Sequence, residues 1–208
     1  MAVPEPCVQS CPKMPSIVFY YDLGSPYAYL SAERLPDVLS SGVRWQPVLL
    51  GGIFALAERS SWAMGEPSER EQGIAEVERR ALEYGLPPLS WPDPWPSDYL
   101  GAMRAATYAY DIGLGHEFTM HAFHEAFQRG QDLALAETVL RVGAEVGIAE
   151  SDLQEAIADP AVKQALRDAT DAAHAAGVIG VPSVTVEGEV FWGDDRLQDA
   201  ARAAGVSH

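Results

Sequence analysis

Residues 17–30 read IVFYYDLGSPYAYL, and the change of character at Gly24 decides the fold. Residues 17–22 are β-branched and aromatic, the composition of a buried strand. Gly24-Ser25-Pro26 then turns the chain into a helix. Ser25 is a natural N-cap, because its side-chain oxygen accepts an orphan helix N–H. Pro26 suits the first helical position, where its missing N–H costs nothing. Leu30, Leu35, Val38 and Leu39 recur at helical spacing, and Gly42 ends the segment. Residues 43–49 (VRWQPVL) predict a second strand, with Pro47 marking an edge or a strand end. A strand, a helix and a strand make a βαβ unit, whose strands are parallel.

The middle of the chain is different. Ser68 with Glu71 predicts a capping box opening a helix that ends near Gly85. Residues 86–98 (LPPLSWPDPWPSD) are a Pro/Trp-rich connector. Beyond it, Leu100, Met103, Thr107 and Tyr110 predict one helix, and Phe118, Phe123 and Phe127 another. Residues 132–146, 152–158 and 160–176 are Ala-rich helical stretches, the last opened by Asp159-Pro160 and closed by Gly177. Strand character returns at 183–192, where SVTV and EVFW flank the hairpin signal Glu187-Gly188. Asp194 is then placed to cap a closing helix through about Ala204.

This order divides the chain into an N-terminal tail (1–15), an α/β core (16–56 and 177–208) and an all-helical insertion (57–176). At 208 residues and 48% hydrophobic composition there is enough apolar side chain for a sizeable core. The formal charge of −16 argues against nucleic acid, whose binding is driven by Lys and Arg displacing counterions. It also argues against anionic membranes. No apolar run of about 18 residues predicts a transmembrane helix, and residues 1–15 lack the basic start and apolar core of a signal peptide, so a cytoplasmic protein is expected. Cys7 and Cys11, the only cysteines, lie in the tail at a spacing that fits neither a redox C-x-x-C motif nor a zinc site. An idle tail is the expectation.

Three constellations carry chemistry. At Asp22-Leu23-Gly24-Ser25-Pro26-Tyr27 a helix N-terminus presents unpaired N–H groups and a partial positive charge, the place where a thiolate or other anion is stabilised. Ser25 there is either a simple cap or a donor to a nearby thiolate sulfur. At Gly177-Val178-Ile179-Gly180-Val181-Pro182-Ser183 the Val-Pro bond is either an ordinary trans strand entry or a cis bond that exposes the Val181 backbone to a peptide-like ligand. At Phe191-Trp192-Gly193-Asp194-Asp195-Arg196-Leu197 two carboxylates satisfy helix N–H groups or accept an ammonium. A fourth cluster, His116, Glu117, His121, His124 and Glu125, shares one predicted helix. Without cysteine or a known metal motif it reads as exposed helix residues, and no metal is expected.

Together the first three resemble the 2-hydroxychromene-2-carboxylate isomerase and kappa-class glutathione transferase family, in the DsbA-like branch of the thioredoxin fold. The resemblance spans about Ile17 to Ala204. The connector adds to it, with Trp95-Pro96-Ser97-Asp98-Tyr99-Leu100-Gly101-Ala102-Met103-Arg104 similar to the family's F-P-x-N-S-L-x-A-x-R. It implies a thioredoxin-like β-α-β…β-β-α core with a large helical insertion, and a glutathione-dependent isomerase or transferase using glutathione or another low-molecular-weight thiol. Its partner would be a small hydrophobic or aromatic electrophile, and because relatives are often dimers a homodimer is compatible. By the same resemblance Ser25 would hold the thiol sulfur as the catalytic residue. Pro26, Tyr27, Val181 and Pro182 would line the thiol groove, Asp194 and Asp195 would take the γ-glutamyl end, and Tyr27, Trp192 and Asp98 would line the substrate pocket.

The chain also departs from the family. After Gly51-Gly52-Ile53-Phe54 the family continues towards a Gly-Asn pair and a Lys, where residues 57–63 here read AERSSWA. Asp98 replaces the connector's Asn, and a carboxylate there repels an anionic substrate unless Arg104 pairs with it. The competing expectations are a non-catalytic thiol- or peptide-binding protein and a DsbA-family homologue that has lost redox activity.

Overall fold

Every residue of β1 (Ile17–Tyr21) is buried, as a strand covered on both faces must be. The structure, a computed structural model, describes residues 16–39 and 42–206; the tail with Cys7 and Cys11 lies outside them. β1 is flanked by β2 (Val43–Pro47), parallel to it, and by β3 (Ser183–Val186), antiparallel. With β4 (Glu189–Trp192) the sheet order is β2-β1-β3-β4. Along β1 the side chains alternate. Ile17, Phe19 and Tyr21 enter the main core, while Val18 and Tyr20 enter a smaller cluster with Val48, Ile53, Ala173, Val178 and Val181.

The βαβ reading holds. α1 (Pro26–Val38) starts at Ser25, whose Oγ accepts from the Ala28 N–H at 3.2 Å. Pro47 closes β2 on the sheet edge, where no neighbour needs its missing donor. β2 is shorter than residues 43–49, because the chain turns directly into α2 (Leu50–Leu56). Nothing in residues 50–56 predicts α2, since Gly51-Gly52 are poor helix formers. The reason for Gly52 is spatial: a Cβ there would meet the Thr170 methyl at 3.1 Å.

Six helices follow the short 3₁₀ turn at Trp62–Met64. They are α3 (Pro67–Glu83), α4 (Leu100–Asp111), α5 (Gly115–Phe127), α6 (Ala136–Glu145), α7 (Glu150–Ala158) and α8 (Pro160–Ala175) — of which the last is capped by Asp159, as expected. Two starts differ from expectation. Pro67 takes the first position of α3, so Ser68 lies inside the helix and the Ser68–Glu71 box does not form. α6 begins later than residue 132, because Asp132 Oδ1 accepts from the Ala134 N–H and holds a turn there. Among the described residues strands occur only at β1–β4, before α2 and after α8. Among the described residues no helix is long and apolar enough to cross a membrane.

At the C-terminal hairpin Glu187 and Gly188 both have positive φ (49° and 90°), which a two-residue hairpin turn of this kind requires. A 3₁₀ turn at Asp194–Arg196 leads into α9 (Leu197–Ala203). Asp194 is not its cap: Arg196 holds that position with no side-chain bond, and Gly193, at φ 117°, precedes the 3₁₀ turn. The expected row of exposed residues on α5 holds at His116, Glu117 and His121 and is corrected at Glu125 and, in part, at His124. Glu125 is fully buried, ion-paired to Arg129 and, at 2.7 Å, to Arg141; His124 meets Glu33 of α1 at 2.6 Å, and His116 packs on Trp45. Among the described residues no group of three His, Cys, Asp or Glu side chains is placed to hold a metal ion.

Candidate functional site

The C-terminal end of β1, the start of α1 and the loops before β3 and after β4 form one wall of a cavity of about 950 Å³. The helical block supplies the opposite wall through Trp62, the connector around Trp95–Leu100, and Met103. Ser25, Pro26, Tyr27, Asp98, Val181, Pro182, Trp192, Asp194 and Asp195 all line this cavity. Residues up to 170 positions apart in the chain therefore meet at one site.

Ser25 is 4% exposed. Its N–H donates to the Asp22 carbonyl at 3.0 Å, and its Oγ accepts from Ala28. Among the described residues no acceptor takes its hydroxyl proton, which is thus available to a group in the cavity. The turn carrying Ser25 is held from both blocks. The Gly24 N–H donates to Asp22 Oδ1 at 2.8 Å, and the Leu23 N–H to Met103 Sδ at 3.2 Å. Position 24 must be glycine, since a Cβ would stand 2.5 Å from the Tyr99 ring. Asp22 Oδ2 accepts from the Leu50 N–H at 2.8 Å, tying the turn to α2. Burial raises the Asp22 pKa, and the two backbone N–H groups oppose that rise.

The Val181–Pro182 bond is cis, the alternative that the resemblance favoured. The Val181 N–H and C=O have no hydrogen-bond partner among the described residues. The Pro182 carbonyl accepts from the Gly193 N–H at 2.9 Å, which fixes this loop to the turn after β4. Trp192 lies against Gly180, where a Cβ would come within 2.6 Å of its ring nitrogen, and the Arg59 guanidinium stands 4.7 Å over its ring. Tyr27 meets Trp62 edge-on at 6.2 Å, and Trp62 meets Trp95 at 5.4 Å. These aromatic rings make the helical side of the cavity apolar.

The two carboxylates after Gly193 have separate fates. Asp194 is 2% exposed; its Oδ1 accepts from Arg80 Nη1 at 2.7 Å and its Oδ2 from the Tyr84 hydroxyl at 2.8 Å. Burial and the bond to Asp194 push the Tyr84 pKa up to about 12. The Asp195 side chain is 59% exposed, with Oδ2 3.9 Å from the same Arg80 nitrogen. Asp98 holds the turn before α4, its Oδ1 accepting from the Leu100 N–H at 3.0 Å. The Asp98–Arg104 pair that would relieve its repulsion of an anionic substrate is absent from the ion pairs of the described residues. The sequence reading missed Asp22, Arg59, Arg80, Trp62 and Met103. Only Asp22 carried a local signal, a carboxylate directly after a buried strand.

Residues 16–204 match the DsbA-like thioredoxin domain family. Among curated proteins the chain is similar to 2-hydroxychromene-2-carboxylate isomerase of Sphingobium xenophagum, 29% identical over 88% of this chain and 94% of that one. It is also similar to human glutathione S-transferase kappa 1, 24% identical over 91% of each. These are the two proteins whose family the motifs resembled. A solved 2-hydroxychromene-2-carboxylate isomerase superposes with a TM-score of 0.79 at 21% identity, over 91% of this chain and 94% of that one. A probable DsbA oxidoreductase from Streptomyces coelicolor gives 0.71 at 15% identity, over 93% and 92%. At these identities the structural likenesses establish the fold.

Proposed function

Because the chain belongs to the DsbA-like thioredoxin domain family, we propose that it uses that fold to hold a thiol rather than to exchange disulfides. In this reading it is a thiol-dependent isomerase or transferase, with glutathione or another low-molecular-weight thiol as cofactor and a small hydrophobic or aromatic electrophile as substrate. The observation that carries it is Ser25. Its oxygen is committed to the α1 N-terminus while its proton is left for the cavity, beside the unpaired Val181 backbone groups. A sulfur at that point accepts the Ser25 hydroxyl proton as a hydrogen bond and lies in the positive field of α1, both of which favour thiolate over thiol. The Val181 N–H and C=O would pair with the cysteinyl backbone of the thiol.

The chemistry follows from that placement. The thiolate adds to a conjugated electrophile and forms a C–S bond, which converts a neighbouring double bond to a single bond. Rotation about it and expulsion of the same thiolate give the isomer; protonation of the adduct instead gives the transfer product. The chain contributes a lowered thiol pKa and a geometry that holds both reactants together. The Trp62, Trp95 and Tyr27 rings favour a planar apolar electrophile. The two curated relatives, named as an isomerase and a glutathione transferase, support the same reaction class. Dithiol exchange is disfavoured because positions 25 and 28 are Ser25 and Ala28.

The test is Ser25→Cys, made with Cys7 and Cys11 replaced. The introduced thiol should titrate below the free value of about 8.5, read from its alkylation rate against pH. It should form mixed disulfides that are not released intramolecularly, since Ala28 supplies no second thiol. A pKa at or above the free value would mean that Ser25 faces no anion-stabilising site. Turnover assays with several thiols separate catalysis from binding alone.

A further inference from the structure

The two walls of the cavity differ in how their charges are balanced. Among the described residues Asp22, Asp98, Asp194 and Asp195 line it, and Arg59 and Arg80 are its cations. Arg80 donates to Asp194 at 2.7 Å and to Glu76 at 2.8 Å, and lies 3.9 Å from Asp195. Arg59 stands over the Trp192 ring. Both cations are thus placed at the turn after β4. Asp22 is buried, with its oxygens on the Gly24 and Leu50 N–H groups. Asp98 is the exception. It stands exposed on the connector, on the apolar wall with Trp62, Trp95, Leu100 and Met103. Its Oδ1 accepts from the Leu100 N–H, while its Oδ2 has no partner and no ion pair includes it among the described residues. The neighbouring Ser97 hydroxyl is spent on the Pro94 carbonyl at 2.9 Å. An apolar wall therefore carries one uncompensated carboxylate.

We infer that Asp98 is a specificity-determining residue for the electrophile. The substrate class is a planar apolar ring that turns a hydrogen-bond donor, an ammonium or a neutral N–H or O–H, towards the connector, and not a carboxylate. This rests on the thiol reading above. A ligand seated against this wall takes water away from the free Asp98 oxygen. A ring without a donor leaves that charge desolvated and unpaired, which costs affinity. A carboxylate adds repulsion between like charges. A donor replaces the lost water and, where cationic, makes a charge-assisted bond. The guanidiniums do not relieve a carboxylate at the connector, since both are placed at the turn after β4 and Arg80 already holds Asp194. The rings set the plane of the electrophile, and Asp98 sets which end of it points to the connector.

The experiment compares three electrophiles of one shape with glutathione at neutral pH: 4-chloro-3-nitrobenzylamine, 4-chloro-3-nitrobenzamide and 4-chloro-3-nitrobenzoate. In each the thiolate sulfur bonds to the ring carbon and the carbon–chlorine bond breaks, its electron pair leaving with chloride. Dividing kcat/KM by the uncatalysed rate removes the intrinsic reactivity of each ring. The wild-type protein should then rank amine above amide above benzoate. Asp98→Asn keeps the acceptor for the Leu100 N–H, so the turn survives. It should raise the benzoate relative to the amide by about fivefold and lower the amine by as much, the size of one charge interaction that solvent still reaches. Added salt should move the wild-type ratios towards those of the variant, which a merely structural role would not produce. If the protein binds the thioether products without turnover, calorimetric dissociation constants for those products give the same ratios. Ratios that Asp98→Asn leaves unchanged, or a wild-type preference for the benzoate, would overturn the inference alone. No turnover of any electrophile and no binding of any product would overturn the thiol reading together with it.

Discussion

The start of α1 and the turn after Gly193 both open a helix onto the same cavity, and they are held in opposite ways. At α1 the cap itself is local: the Ser25 Oγ accepts from Ala28 and its N–H donates to Asp22, all within seven residues. At the second turn the side chain that looks like a cap turns away from its own helix. Asp194 reaches Arg80 of α3 and Tyr84 just beyond it, more than 100 residues earlier, and its carbonyl accepts from Arg34 of α1 at 2.9 Å. A cap made from its own turn leaves its hydroxyl proton free for a ligand. A carboxylate tied to distant partners serves the architecture.

The contrast breaks most visibly at Asp194. Asp194→Ala leaves Arg80 and Tyr84 without their shared acceptor and should lower stability by about 2–3 kcal/mol, less than a fully buried charge would cost because Arg80 keeps Glu76 and some solvent. Chemical denaturation measures it, and a loss below about 0.5 kcal/mol, the level of a surface change, would make this network ornamental. Ser25→Ala should cost only about 1 kcal/mol of stability, as other caps do. Its thiol-dependent turnover should nevertheless fall by about tenfold to a hundredfold, the effect of removing one hydrogen bond to a charged atom. Stability and activity losses of equal size would reduce Ser25 to a cap.

The smallest effect sharpens the local side. Burial raises the folded pKa of Asp22 above its unfolded value of about 3.9. Between those two values the folded state holds the proton more tightly, so Asp22's contribution is most favourable at low pH and declines as pH rises through the folded pKa. Asp22→Asn removes that titration. The stability of the wild-type protein relative to the variant should therefore decrease from pH 4 upward and then level off, which denaturation at a series of pH values would follow. A difference that grows with pH would mean that the Gly24 and Leu50 N–H groups outweigh burial.

The same contrast explains what the sequence made legible. The β1–α1 unit, the hairpin at Glu187-Gly188 and the cap at Asp159 are written in neighbouring residues, and each was read correctly. Ser25, Tyr27, Val181, Trp192 and Asp98 were gathered at one site because their motifs occur in a familiar order. Asp194 was misread as a cap because nothing near it in the chain announces Arg80. α2 went unseen because Gly52 answers to Thr170 of α8 and not to helix propensity. Met103 looked like one more apolar position on α4, whereas its sulfur accepts the Leu23 N–H. These misses share a cause: the partner lies far along the chain, where periodicity and capping rules do not reach.

That sulfur bond has a consequence for how the molecule comes apart. Leu23 depends on Met103, Gly24 is pressed by Tyr99, and the apolar face of β1 with Ile17, Phe19 and Tyr21 is covered by helices from the insertion. Removing the helical block would strip the central strand and unpair the very turn that presents Ser25. Sheet and helical block should therefore unfold as one cooperative unit, and whatever ligand fills the space between them would fasten both at once.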